Sequence, residues 1–275
     1  MSLITLPSEK ADPLSSRIVR ELIARQPLLA RTALAMALLA IPAALLTLVD
    51  PRLINGVSVW TKPFKFLVST WLFLGTLAWL YGMLPEAVRG ARGARWLAWT
   101  AVVTAVFEVA YIAVQGALGE ASHFNTSTPF HAAMFSLMGI AAVVLAACAP
   151  WLAVLIARHN RDAAPVYRRA VILGLWLTFV LGAVAGMYMG SRGAHWIGGT
   201  ASDAGGVPLF GWSRDGGDLR VARFMGIHTM QILPLIGWWL RDRVQVGALV
   251  TMAAGVLGVA TIGVFVQALL GQPLL

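Results

Sequence analysis

TAVFEVAYIAVQGALGEASHFNTSTPFH, residues 104–131, begins inside an apolar run and carries a carboxylate, Glu108, where a membrane helix ordinarily holds only apolar residues. Thr104, Glu108, Tyr111 and Gln115 are spaced i, i+4, i+7 and i+11. At the helical period they fall within about 60° of one another, on one face. The run ends through Gly116 and Gly119 in a polar turn, Glu120-Ala121-Ser122-His123-Phe124-Asn125, and resumes at Thr128-Pro129, where proline suits a first helical position. The stretch therefore predicts two transmembrane helices joined by a short polar turn. An ionisable residue within a span is costly and marks a functional site by default.

The same character extends along the whole chain. Of 275 residues, 59% are hydrophobic and only 12% charged, whereas a soluble domain is nearer ~25% charged. The fold class is all-α, a polytopic membrane protein. The net charge of +9 comes from basic residues in short loops between apolar runs. That pattern sets membrane topology, forms no stripe for nucleic acid, and makes the lipid bilayer the expected partner. A single cysteine, Cys148, excludes an intramolecular disulfide and a cysteine-based metal site. Residues 1–28 lack the short apolar core of a secretory signal.

Residues 1–28 read as a cytoplasmic tail ending in an amphipathic helix. In LSSRIVRELIARQ, residues 14–26, Leu14, Ile18, Leu22 and Ile23 share one face and Arg17, Arg20, Glu21 and Arg25 surround it; such a helix lies on the membrane surface. Residues 29–275 read as one transmembrane domain. Seven apolar runs, each near the ~20 residues that span a hydrocarbon core, are predicted at 29–49, 64–84, 96–117, 130–157, 170–191, 220–240 and 246–270. With the N-terminus cytoplasmic, Arg52, Lys62, Lys65, Arg192, Arg214, Arg220 and Arg223 face outward and the remaining 14 of the 21 basic residues, Lys10 and Arg243 among them, face inward. This asymmetry predicts an N-in, C-out topology. The segment 192–219 is the one long outer loop; its glycines, Pro208, Trp196, Phe210 and Trp212 suggest a compact lid. In the fifth run Gly174, Thr178, Gly182, Gly186 and Gly190 repeat every four residues, a small-residue stripe suited to close helix packing.

Polar residues gather in the outer half: Lys65, Glu108, Gln115, His123, Asn125, His131, Arg192, His195, Arg220, Arg223, His228 and Gln231. His228 lies about eight residues, or ~12 Å, in from the outer end of its run, a depth similar to that of Glu108. Lys62, Lys65, Arg220 and Arg223 also have a simpler role open to them, reaching outward to lipid headgroups.

Two chemistries fit this set, and a third is weaker. His123, His131, His228 and Glu108 are imidazole and carboxylate donors for a transition metal ion, or His131 and His228 for haem b. The residues first favour that cofactor reading, with His228 and Glu108 as the catalytic pair if the protein is an oxidoreductase. No HxxxH or HExxH occurs, so such a site would be assembled from separate helices. The alternative is a small-solute transporter or receptor, with Glu108 as a coupling carboxylate and Lys65, Gln115, Asn125, Arg220 and Gln231 as the binding residues. The further alternative is a lipid-active enzyme using His123 or His228 as general base. In each case a small molecule or lipid arrives from the outer side. Homo-oligomerisation stays open.

WTKPFKF at 60–66, QGALGEASHFNTSTPF at 115–130 and RVARFMGIHTMQ at 220–231 resemble bacterial multi-pass inner-membrane proteins of uncharacterised activity. The resemblance implies the membrane and no reaction or ligand.

Overall fold

The computed structural model describes residues 14–242 and 247–275. The tail 1–13 with Lys10, Arg243, and the first residue of the run predicted at 246–270 lie outside the described residues.

α1 (Leu14–Arg25) is the expected amphipathic helix, with Leu14 and Ile18 exposed and Leu22 and Ile23 packed on the core. Gln26 accepts a hydrogen bond from the Leu29 amide at 2.8 Å and Pro27 opens α2 (Pro27–Val49), so cap and fixed φ together set the start. After a two-residue hairpin, β1 (Leu53–Ile54) and β2 (Val57–Ser58), come α3 (Thr61–Tyr81), the short α4 (Glu86–Arg89) and α5 (Arg92–Leu118). The hairpin turns on Asn55 and Gly56, both at positive φ, as a tight primed turn requires. Thr128 caps α6 (Pro129–His159), whose first residue is proline, and α7 (Pro165–Arg192) also begins at proline. Gly119 and Gly193, both left-handed, close α5 and α7. The chain then passes through β3 (Trp196–Ile197) and β4 (Gly217–Asp218) to α8 (Leu219–Ile227), α9 (Thr229–Leu240) and α10 (Gly247–Leu269).

Among the described residues, α2, α3, α5, α6, α7 and α10 are long and apolar enough to cross a membrane. The predicted runs follow them closely, but several helices begin earlier because polar residues such as Thr61, Lys62 and Arg92 join the first turn. The run predicted as a single sixth span differs. It is broken at His228 into α8 and α9.

A core of Leu29, Leu74, Leu77, Leu80, Leu97, Leu152 and Ile156 with interleaved alanines fills the end of the bundle nearest α1. The hairpin 53–58, the turn 119–128 and the segment 193–218 meet at the opposite end, called the lid end below. Asp203 donates its amide to the Asn55 carbonyl at 2.9 Å and Ser202 its hydroxyl at 3.1 Å, and Phe124 faces His195 with centroids 6.3 Å apart.

Candidate functional site

The segment 193–218 is folded over the lid end by a charged network. Asp218 is buried; its carboxylate caps α8 by accepting from the Arg220 amide, accepts from the Ser213 amide, and pairs with the Arg220 guanidinium at 2.6 Å. Arg220 also pairs with Asp203 at 2.7 Å and donates to the Gly211 carbonyl, while Asp203 accepts a further contact from His195 at 3.2 Å. Burial opposes the Asp203 charge, but the His195 hydrogen bond and Arg220 prevail and pull its carboxyl down to about 2. Lys65 Nζ donates to the Phe210 carbonyl at 2.8 Å. Phe210 and Trp212 stack on each other and meet Phe224 of α8 edge-on. Lys65 and Arg220, expected to bind solute, thus hold the lid to α3 and α8.

The break in the α8–α9 run is supported from α7. Thr178 Oγ1 donates to the Ile227 carbonyl, lies 3.0 Å from Thr229 Oγ1, and accepts from the Met230 amide at 3.0 Å. It therefore serves both a carbonyl and an amide that the interruption frees. Gly174 leaves room for this approach, since a methyl group there would sit 2.8 Å from the Thr229 carbonyl oxygen. The small-residue stripe is a packing surface for the broken helix, except that a methyl group at Gly186 would meet the Arg223 guanidinium at 3.3 Å, and Gly190 faces open space.

The histidines do not converge. His131 uses both ring nitrogens locally, Nε2 on Glu120 at 2.9 Å and Nδ1 on Thr128 at 2.8 Å. His123 contacts Ser122 through Nδ1 and packs among Phe66, Phe124 and Phe135. Burial, then the charges of Lys62 and Arg223, push it well below its ordinary pKa, so it is neutral at neutral pH. His228 sits at the helix break, with Nδ1 on Gln231, whose amide reaches Thr76 of α3 at 3.0 Å. Asn125 closes its own turn through Ala121 and Ser127. Among the described residues no group of three or more His, Cys, Asp or Glu is disposed to hold a metal ion.

Lys62 on α3, Glu108 and Gln115 on α5, and Arg223 on α8 make no hydrogen bond or ion pair among the described residues. Glu108 and Gln115 are 7% and 3% exposed, and the Oε1 atom of each is buried with no partner. Lys62 and Arg223 are half-buried. The four belong to one region. Arg223 is the charge that bears on Glu108, and Lys62 and Arg223 both bear on His123. Gly116, beside Gln115, packs against Val59 and Pro63 next to Lys62. In depth they form a column, Lys62 in the first turn of α3, Arg223 about one turn into α8, and Glu108 about 15 Å from the lid end of α5. Glu108 and Gln115 stand out in the sequence as polar residues in an apolar run. Lys62 and Arg223 read there as boundary residues like Lys65 and Arg220, and only the lid's claim on the latter pair separates them.

No family model, curated protein or solved structure matches this chain.

Proposed function

We propose that this protein binds a small solute from the outer side of the bacterial inner membrane, as a transporter or receptor. In this reading α8 and α9 together make a seventh crossing, discontinuous at its middle, and the N-terminus is cytoplasmic. The orientation is supported by the basic residues, since Arg17, Arg20, Arg25, Arg31, Arg89, Arg92, Arg95, Arg158, Arg161, Arg168, Arg169 and Arg241 all belong to the α1 end. The observation that carries the solute reading is the unpartnered column beneath a folded lid. Buried polar groups without partners are expensive, and a ligand that supplies the partners accounts for them.

A broken helix beside an intramembrane carboxylate is an arrangement that solute sites use. A metal or haem b site draws less support from this geometry, because His123 and His131 are committed to local partners and Glu108 has only a cation nearby. The test is a solute-dependent thermal shift on the detergent-purified protein, run beside an absorption spectrum and elemental analysis. A shift that Glu108→Gln removes or alters in its pH dependence supports the reading. A Soret band or stoichiometric metal lost with His228→Ala replaces it with the cofactor reading.

A further inference from the structure

The carboxylates of the lid end are almost all committed. Asp50 holds Arg52 at 2.7 Å, Asp203 and Asp218 hold Arg220, Glu120 holds His131, and Asp215 accepts from Thr200 and Ser213. Arg214 is exposed in the lid and Arg192 is exposed over the Tyr188 ring. Once these and the pairs are set aside, Lys62 and Arg223 remain as the partly buried cations of the lid end with no partner among the described residues, and Glu108 as the one such carboxylate of that end. The column is therefore short of negative charge. Arg223 is laid against Gly186, with its planar fork of donors free, the shape that matches a carboxylate, sulfonate or phosphate group.

We propose that the site takes an oxyanion between Lys62 and Arg223, and that its binding is linked to uptake of one proton by Glu108. This rests on the solute-binding reading above. An ionised Glu108 competes with the incoming anion for Arg223 and repels it. Protonation removes that competition, and the anion replaces the charge that Arg223 loses. The bound state then holds a neutral acid, an anion and two cations, where the empty state holds a carboxylate and two cations. Gln115, two turns above Glu108 on the same face, offers its free Oε1 to a donor on the ligand.

Among the titratable groups on the helices around Glu108, Lys62 also carries a proton that a bound anion favours, so the pH profiles of Glu108→Gln and Lys62→Gln are compared to assign the linked proton. α3 brings Lys62 and Lys65, the second held by Phe210. α6 brings His131, held by Glu120, with Cys148 deep in the opposite half. α2 carries only Arg31, near the α1 end, and α4 carries Glu86 and Arg89 at that end. On α5 itself Tyr111 is the nearest titratable group. From α8 comes Arg223, and His123 and His228 lie in the turn above and at the helix break.

The experiment uses the full-length protein in detergent and in phosphatidylcholine nanodiscs. Acetate, methanesulfonate and inorganic phosphate are the soluble probes, and short-chain phosphatidate the lipid one; choline and acetamide are controls. Thermal shift and isothermal titration are followed between about pH 5 and about pH 8. The expected result is that at least one oxyanion binds, with affinity falling as pH rises by up to about tenfold per pH unit, the limit for one linked proton. A soluble anion that suffices identifies a free solute; binding by phosphatidate alone identifies a headgroup. Glu108→Gln is expected to keep binding and flatten its pH dependence, and Lys62→Gln and Arg223→Lys to weaken it about tenfold or more. If Arg223→Lys fails to fold, Lys62→Gln at the mouth still decides. Binding of choline or acetamide but no oxyanion overturns this proposal and leaves the solute reading standing; no binding of any solute removes both. A pH dependence that survives Glu108→Gln, or that is absent in the parent protein, overturns the proton linkage.

Discussion

The two ends of the bundle spend their polar groups differently. At the α1 end, Arg25, Arg89 and Arg168 serve the backbone. Arg25 lies 4.0 Å over the Trp79 ring, donates to the Trp79 carbonyl and pairs with Glu21, while Arg89 donates to the Leu84 and Gly82 carbonyls. These are cations at the C-terminal end of α3, where orphan carbonyls and the helix dipole both favour them. Asn160 joins the Met83 carbonyl to the Ala163 amide. At the lid end Arg52 and Arg220 are equally committed, while Arg223, three residues after Arg220, is not. The difference separates groups that hold the fold from groups held in readiness, and it can be tested by removing one of each.

The largest effect is expected at Asp218. Its carboxylate is 2% exposed and serves Arg220, Ser213 and the α8 cap at once. Asp218→Ala leaves the Arg220 charge with only Asp203 and is expected to cost about 3–5 kcal/mol, read as a lower unfolding temperature together with proteolysis within 193–218. Acid probes the same clamp without mutation. Because Asp203 is drawn down to about 2 in the folded protein, its contribution is fully present above the ordinary carboxylate range and is lost only as pH falls from about 4 toward about 2. The lid should therefore stay protease-resistant at pH 5, and release near neutral pH would refute the assignment of Asp203 to the clamp.

Thr178 comes next. Its hydroxyl serves the freed groups of the helix break in a fully buried setting. Thr178→Val preserves shape and strands the Met230 amide, for an expected loss of about 1–3 kcal/mol. Faster hydrogen exchange at Met230 than at Leu233 would locate the loss at the break. An unchanged Met230 rate would show that the interruption is held by other means.

What was readable in the sequence follows from how local each feature is. Membrane helices announce themselves through consecutive apolar residues, so six matched, and Glu108 and Gln115 were conspicuous for the same reason. The break at His228 was hidden because the hydroxyl that tolerates it arrives from Thr178, 52 residues before Met230. Arg220 and Arg223 could not be told apart, since Asp203, which helps decide between them, enters from a loop that carries no periodic signal. The histidines misled in the opposite way. Their number in the outer half suggested a metal or haem site, yet His123 and His131 find partners within a few residues, Ser122, Thr128 and Glu120, and those short-range contacts disperse the set.

Glu108→Gln gives the smallest effect and the sharpest contrast. At a position that holds the fold, losing a charge costs stability, as at Asp218. Glu108 makes no hydrogen bond or ion pair, only the charge of Arg223 bears on it, and burial outweighs that attraction in its effect on the carboxylate. Exchanging it for a neutral amide of the same size is expected to raise the stability of the ligand-free protein by about 1 kcal/mol, read as a higher unfolding temperature at about pH 8, where the carboxylate form weighs most. The gain should shrink as pH falls, because protonation neutralises the parent side chain as the mutation does. A loss of stability would instead place Glu108 among the groups that hold the fold, and the column would no longer be the exception that sets the lid end apart.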